Sequence, residues 1–316
     1  MDRRIAEIGP LHGARTGFSF PSIQPLNTAM PVRIALLTFS LLLGTAAFAQ
    51  SPVDPGSPLE TLDTEFGLAD GPSWDGNGTL YIPDVKGETL SVWSPKERQR
   101  TVLLPSAGRI SATFYRGGTL YLSDNANARI VTLDNTELNL LCQLDDTAKP
   151  APRPNDLVVD AAGGVYVTIT AQNRVAYINA KGEESTAVAA IAAPNGIILS
   201  PDEKTLYVSA YAAKQIWAYP VTSAGKTGEA KLLALMDDGP EKGADGMSID
   251  SAGNVYCAGA ADVWIWNPEG KLLAKINCPT RPINCTFGDN DLKSLYITGF
   301  GGLYRQRMTV AGVSGE

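Results

Sequence analysis

Histidine is nearly absent from this sequence: the only one, His12, stands near the N-terminus. A Ser-His-Asp triad, a Cys-His dyad and a His-ligated zinc site each need an imidazole among other reactive side chains. Acid and base work therefore falls to carboxylates, Lys, Tyr or a metal-bound water. Cysteine is scarce too. Cys142, Cys257, Cys278 and Cys285 are irregularly spaced and form no C-x-x-C pair. Cys278 and Cys285 are the nearest candidates for one disulfide in an exported chain, but a domain of this length needs no staple, so buried thiols are expected. No G-x-S-x-G elbow or G-x-G-x-x-G loop occurs. Basic residues are outnumbered 26 to 33, for a net charge of −7. That balance gives no support for a nucleic-acid partner. A mean hydropathy of −0.04 excludes a multi-spanning membrane protein.

The longest apolar run, residues 34–43, is short of the ~20 residues a membrane span needs. It follows Arg33 and precedes Ala47-Phe48-Ala49, which is the order of a secretory leader with an A-x-A cleavage site. The expected organisation is an upstream extension over 1–29, a signal peptide over 30–49 and a single domain over 50–316. Such a protein is exported, either periplasmic or secreted, with no membrane attachment once mature.

What the chain has in abundance is repetition. A tyrosine after a short aliphatic or small residue recurs at Tyr81, Tyr121, Tyr166, Tyr207, Tyr256 and Tyr296, with gaps of 40, 45, 41, 49 and 40. Each follows a Gly- or Asp-rich turn and precedes alternating segments such as Leu90-Ser91-Val92-Trp93 and Val263-Trp264-Ile265-Trp266. Period-two alternation between turns is the strand signature. Six copies of a four-stranded unit at ~40–50 residues match propeller blades. The expectation is all-β: a six-bladed β-propeller. Only 183–193 could be helical, and it suits an outer strand equally. The last copy ends after its third strand, and an unpaired strand precedes the first, within 59–66. The N-terminal strand should complete the sixth blade and close the ring, removing a free sheet edge.

Counting back 11 or 12 residues from each tyrosine reaches the start of the innermost strand, where equivalent positions converge on the propeller axis. The count lands on Asp70, Asn155, Asn195, Asp245 and Asn284, and on Ile110 or Ser111 in the second copy. Two carboxylates with neutral amides suit a hard divalent cation such as Ca²⁺. Asp and Asn before Gly are also ordinary turn residues. Spacing leaves both readings open.

At these segments the chain resembles the SMP-30/gluconolactonase family of six-bladed calcium propellers. The resemblance runs from about Leu68 to Tyr304. It is carried by Asp70-Gly71-Pro72-Ser73-Trp74, Arg153-Pro154-Asn155-Asp156-Leu157, Ala193-Pro194-Asn195-Gly196, Ala244-Asp245-Gly246-Met247 and Arg281-Pro282-Ile283-Asn284-Cys285. It implies that Asp70, Asn195 and Asp245 hold the metal, that Asn155 lies beside it, and that Arg153 and Asn155 contact substrate. The implied cofactor is Ca²⁺, with Zn²⁺, Mn²⁺ or Mg²⁺ as alternatives, and the implied partner is a small-molecule lactone. Asp70 departs from the family's usual Glu. Its carboxylate is one methylene shorter, against Ca²⁺–oxygen distances of ~2.3–2.6 Å. No counterpart is evident for the acidic residue that some members use on sugar hydroxyls; the nearest candidate is Asn173.

The implied chemistry is hydrolysis of a sugar lactone to the aldonic acid, with Asp245 taking a proton from water. Asp156, next to Asn155, should point the opposite way along the strand and serve structure. Two competing readings are a non-catalytic propeller that binds a ligand or protein, and an enzyme like the strictosidine-synthase propellers.

Overall fold

The computed structural model describes residues 17–22 and 50–315, apart from 238, 240 and 242. The leader expected over 30–49 lies outside the described residues. The strands all fall within one compact unit, Ala47–Glu316.

Six antiparallel sheets follow one another along the chain, each a meander running outward from the axis. The first blade is Ser73–Trp74, Leu80–Asp84, Thr89–Ser94 and Gln99–Leu104. The second runs from Ile110–Arg116 to Glu137–Gln143, and the third from Pro154–Val159 to Glu184–Val188. The fourth starts at Pro194–Leu199 and ends at Lys231–Leu235, and the fifth spans Met247–Ile249 to Leu272–Asn277. The sixth has Pro282–Gly288, Ser294–Gly299 and Gly302–Arg307, and its fourth strand is Glu60–Asp63 from the N-terminus. Each inner strand packs beside the next, and the sixth packs beside the first. Blades three and six therefore face each other across the axis.

All six repeat tyrosines lie on second strands. The Asp-rich turns have a physical role as well as a statistical one. Asp75, Asp160 and Asp250 each accept backbone N–H bonds from the residues two and four positions on, at 2.7–2.9 Å, which pins the first hairpin of the blade. The segment 183–193 forms the outer strand Glu184–Val188; among the described residues the helical content is one short 3₁₀ turn, Thr170–Gln172. The long gap between Tyr207 and Tyr256 has a structural cause. The fourth blade carries an extra two-residue strand, Lys226–Thr227, paired to an extended third strand, Gln215–Ser223.

Between adjacent blades the core is aliphatic and aromatic. Trp264 and Trp266, for example, pack with Tyr207, Ile216 and Met236 of the preceding blade. The four cysteines are buried and none is in a disulfide among the described residues.

Candidate functional site

Four of the six inner strands are irregular near their start. The pairing slips between Pro154 and Leu157, between Pro194 and Ile197, between Ile110 and Ala112 and between Pro282 and Asn284. Such bulges suspend the strict alternation of side chains, so two consecutive residues reach the axial region. This overturns the expectation for Asp156. It is buried and its Oδ2 accepts a hydrogen bond from Asn284 Nδ2 at 3.2 Å, so it belongs to the axial cluster.

The cluster is acidic. The Asn284 amide favours the charged form of Asp70, and the Asn195 amide that of Asp245. Asp70, Asp156 and Asp245 all feel one another's charge. Burial pushes the Asp70 carboxyl up to about 7, against bonds from the Gly71 N–H and Asn284. Burial, with Asp70 nearby, pushes Asp156 up to about 8. Asp245 is also raised well above the carboxylate range by burial and by Asp70, while the Arg281 guanidinium opposes the rise.

Hydroxyls on second strands hold the next blade's site residue in place. Thr168 Oγ1 donates to the Asn195 carbonyl at 2.6 Å, and Ser209 Oγ donates to the Asp245 carbonyl at 2.9 Å. Ser111, on the inner strand of the second blade, also holds its neighbour: its Oγ donates to the Asn155 carbonyl at 2.7 Å. Two glycines make the convergence sterically allowed. A Cβ on Gly246 would fall on the Asn284 amide, and one on Gly196 would fall on the Asp245 carbonyl.

Of the expected site residues, Asp70, Asn195 and Asp245 stand with Asp156 and Asn284 around the axis. Asn155 is half-buried at the same level of the third blade. Arg153 is exposed, and its Nη1 donates to the carbonyls of Asn125 at 3.0 Å and Ala126 at 2.5 Å. Sequence reasoning missed Arg281 and Tyr211. Arg281 Nη2 donates to Tyr211 Oη at 2.7 Å and to Asp245 Oδ2 at 3.3 Å. The available signal was the Arg-Pro pair, which Arg281-Pro282 shares with Arg153-Pro154.

A cavity of about 300 Å³ lies further along the inner strands, lined by Phe114, Val158, Ile198, Ser248 and Thr286 among others. These lie two or three residues beyond the axial positions, and the cavity includes none of the acidic cluster.

The donor set fits a hard divalent cation: buried carboxylates and amide oxygens, with no sulfur or imidazole among them. Among the described residues, no three carboxylate, thiol or imidazole groups form a metal-binding group by themselves. A cation there would draw on the Asn195 amide oxygen besides Asp70 and Asp245.

The family model described as the SMP-30/gluconolactonase/LRE-like region matches residues 68–300. A gluconolactonase of Zymomonas mobilis is 27% identical over 299 residues, covering 82% of this chain and 84% of its own. The pentonolactonase XacC of Haloferax volcanii is 26% identical over 253 residues, covering 76% and 84%. Among solved structures, a gluconolactonase from Xanthomonas campestris aligns with a TM-score of 0.72 at 25% identity, covering 81% of this chain and 91% of its own. A calcium-binding regucalcin from Agrobacterium tumefaciens aligns at 0.70 and 20% identity, covering 80% and 94%, a likeness of fold. With the matched region running from before the first inner strand into the sixth blade, the chain belongs to the SMP-30/gluconolactonase/LRE-like family.

Proposed function

We propose that this propeller is a metal-dependent lactone hydrolase, opening a sugar lactone to its aldonic acid, with Ca²⁺ as the metal. The observation that carries the reading is the convergence of Asp70, Asp156 and Asp245 with Asn195 and Asn284 on the axis. The relatives named gluconolactonase and pentonolactonase supply the substrate class.

Asp70, Asn195 and Asp245 would hold the cation, with Asn155 beside it. When bound, it supplies a Lewis acid for the lactone carbonyl. The rest is done by the chain's own groups. Asp245 accepts a proton from the water that adds to the carbonyl carbon. The ring C–O bond then breaks, and the ring oxygen takes up that proton as the new hydroxyl. Arg281 is paired to Asp245 Oδ2 and favours its charged, proton-accepting form. Asn155 and Arg153 orient the ring and its hydroxyls. Asp156, in the same cluster, supplies negative charge that a divalent cation would offset. Export, on the leader at 30–49, is part of the same reading.

The test is titration of released acid from glucono-δ-lactone and a pentonolactone. Wild type should turn over at least one of them. Asp245→Asn should lose ~10²-fold or more in kcat, the scale of a general base, while keeping its circular dichroism. Full activity in Asp245→Asn would remove it as the base.

A further inference from the structure

Arg281 and Arg153 occupy corresponding places in blades that face each other. Pro282 pairs with Gly299 and Pro154 with Ile169, each at the start of an inner strand and each followed by a slip in register. Their guanidinium groups are used differently. Arg153 turns to the carbonyls of the Asn125–Ala126 loop. Arg281 turns to the acidic cluster, bonding Tyr211 and Asp245 through Nη2 alone. Its guanidinium carbon also sits 5.5 Å from the centre of the Tyr211 ring. Its Nε is buried with no hydrogen-bond partner, and its side chain is 30% exposed. The fork is thus held rigidly from one side, with Nη1 left to donate elsewhere. A planar guanidinium held in this way loses little further freedom on binding a ligand oxygen.

We propose that Arg281 is a substrate-contacting residue of this site, donating to hydroxyl oxygens of a neutral polyhydroxylated lactone, with Tyr211 as its positioning residue. The proposal rests on the lactone-hydrolase reading and names the substrate class of that site. Neutrality follows from the pairing. The guanidinium already faces the Asp245 carboxylate at 3.3 Å, so it offers hydrogen bonds rather than surplus positive charge. Asp70 and Asp156 close by disfavour a phosphorylated or carboxylated ring. A site built to bond hydroxyls discriminates strongly against rings that lack them, because its buried donors are then left unpaired.

The test joins a binding measurement with a selectivity measurement. D-glucono-δ-lactam, a neutral amide that resists hydrolysis, is titrated calorimetrically into the full chain carrying Ca²⁺. Wild type is compared with Arg281→Gln, Arg281→Lys and Tyr211→Phe. Loss of a charge-assisted hydrogen bond should weaken lactam binding by about 10- to 100-fold in Arg281→Gln. Arg281→Lys should be intermediate, and Tyr211→Phe should lose about three- to tenfold, because the fork is no longer held. In kinetics, KM for glucono-δ-lactone should rise with Arg281→Gln more than kcat falls. For δ-valerolactone, which has no hydroxyls, KM should stay within about threefold. The proposal is overturned if wild type does not bind the lactam, if Arg281→Gln binds it equally, or if both lactones lose equally. Lactam binding without hydrolysis of any lactone by wild type would instead sink the hydrolase reading, while the variants would still decide the role of Arg281.

Discussion

Asp156 and Asn284, 128 residues apart in sequence and on facing blades, meet at the axis in a hydrogen bond of 3.2 Å. The contact spans the ring, and it draws a third carboxylate into a cluster that already holds Asp70 and Asp245. The first consequence concerns pH. The Asp70 and Asp156 carboxyls are raised to about 7 and about 8, above the ~3.9 of an unfolded chain. The folded state therefore binds more protons than the unfolded state between those limits. Stability from these groups is fully present below pH ~4 and is lost as pH rises through 7–8. Chelated protein should melt at a lower temperature at pH 8.5 than at pH 5.5, read by scanning calorimetry. An unchanged or higher melting temperature at pH 8.5 would refute the clustering.

Removing one charge from the cluster should relieve it. Asp156→Asn keeps the size of the side chain while cancelling its repulsion of Asp70 and Asp245. In chelator at pH 8.5 the variant should melt ~2–6 °C above wild type, and at pH 5.5 the two should nearly coincide. Equal melting at both pH values would place Asp156 outside the charge cluster.

The glycine beneath Asn284 should be irreplaceable. Gly246→Ala would drive a methyl into the Asn284 amide. The amide is fixed on the other side by Asp156 and by the Cys285 N–H at 2.8 Å. Overpacking of this kind costs roughly 1–3 kcal/mol, which should appear as a lower urea midpoint with an unchanged slope. A midpoint equal to wild type would mean that Asn284 moves freely.

The strand Glu60–Asp63 covers the edge of Gly302–Arg307, helped by Glu60 Oε2 against Arg305 at 2.6 Å. Deleting residues 50–66 should expose that edge and give a protein that aggregates at low micromolar concentration in light scattering. A monodisperse, fully active product would show that the strand is dispensable.

The fold was legible because a propeller repeats its hairpin chemistry. Tyr166 and Tyr256, like their counterparts, mark second strands, and the aspartates before them pin the turns. The site was legible only in part. Asp70, Asn195 and Asp245 fell on the axis by counting, but Asp156 did not, because the bulge after Pro154 breaks the alternation on which the count depended. Asn284 was found for a mistaken reason. Thr286 pairs with Tyr296 as Val158 pairs with Tyr166 and Ile198 with Tyr207, so Asn284 corresponds to Asp156 and Gly196, not to Asn155 and Asn195. Its longer hairpin shifted the count by one. Arg281 and Tyr211 were missed because they lie in connections off the strands, where no tyrosine count reaches.

The most direct test of a metal-dependent lactone hydrolase is acid release from glucono-δ-lactone in a pH-stat. Purified protein would be assayed before chelation, after chelation and after adding back Ca²⁺, Mg²⁺, Mn²⁺ or Zn²⁺ in turn. Activity that disappears with chelator and returns with Ca²⁺ is the predicted result. Undiminished hydrolysis after exhaustive chelation, or none with any of the four ions, would contradict it.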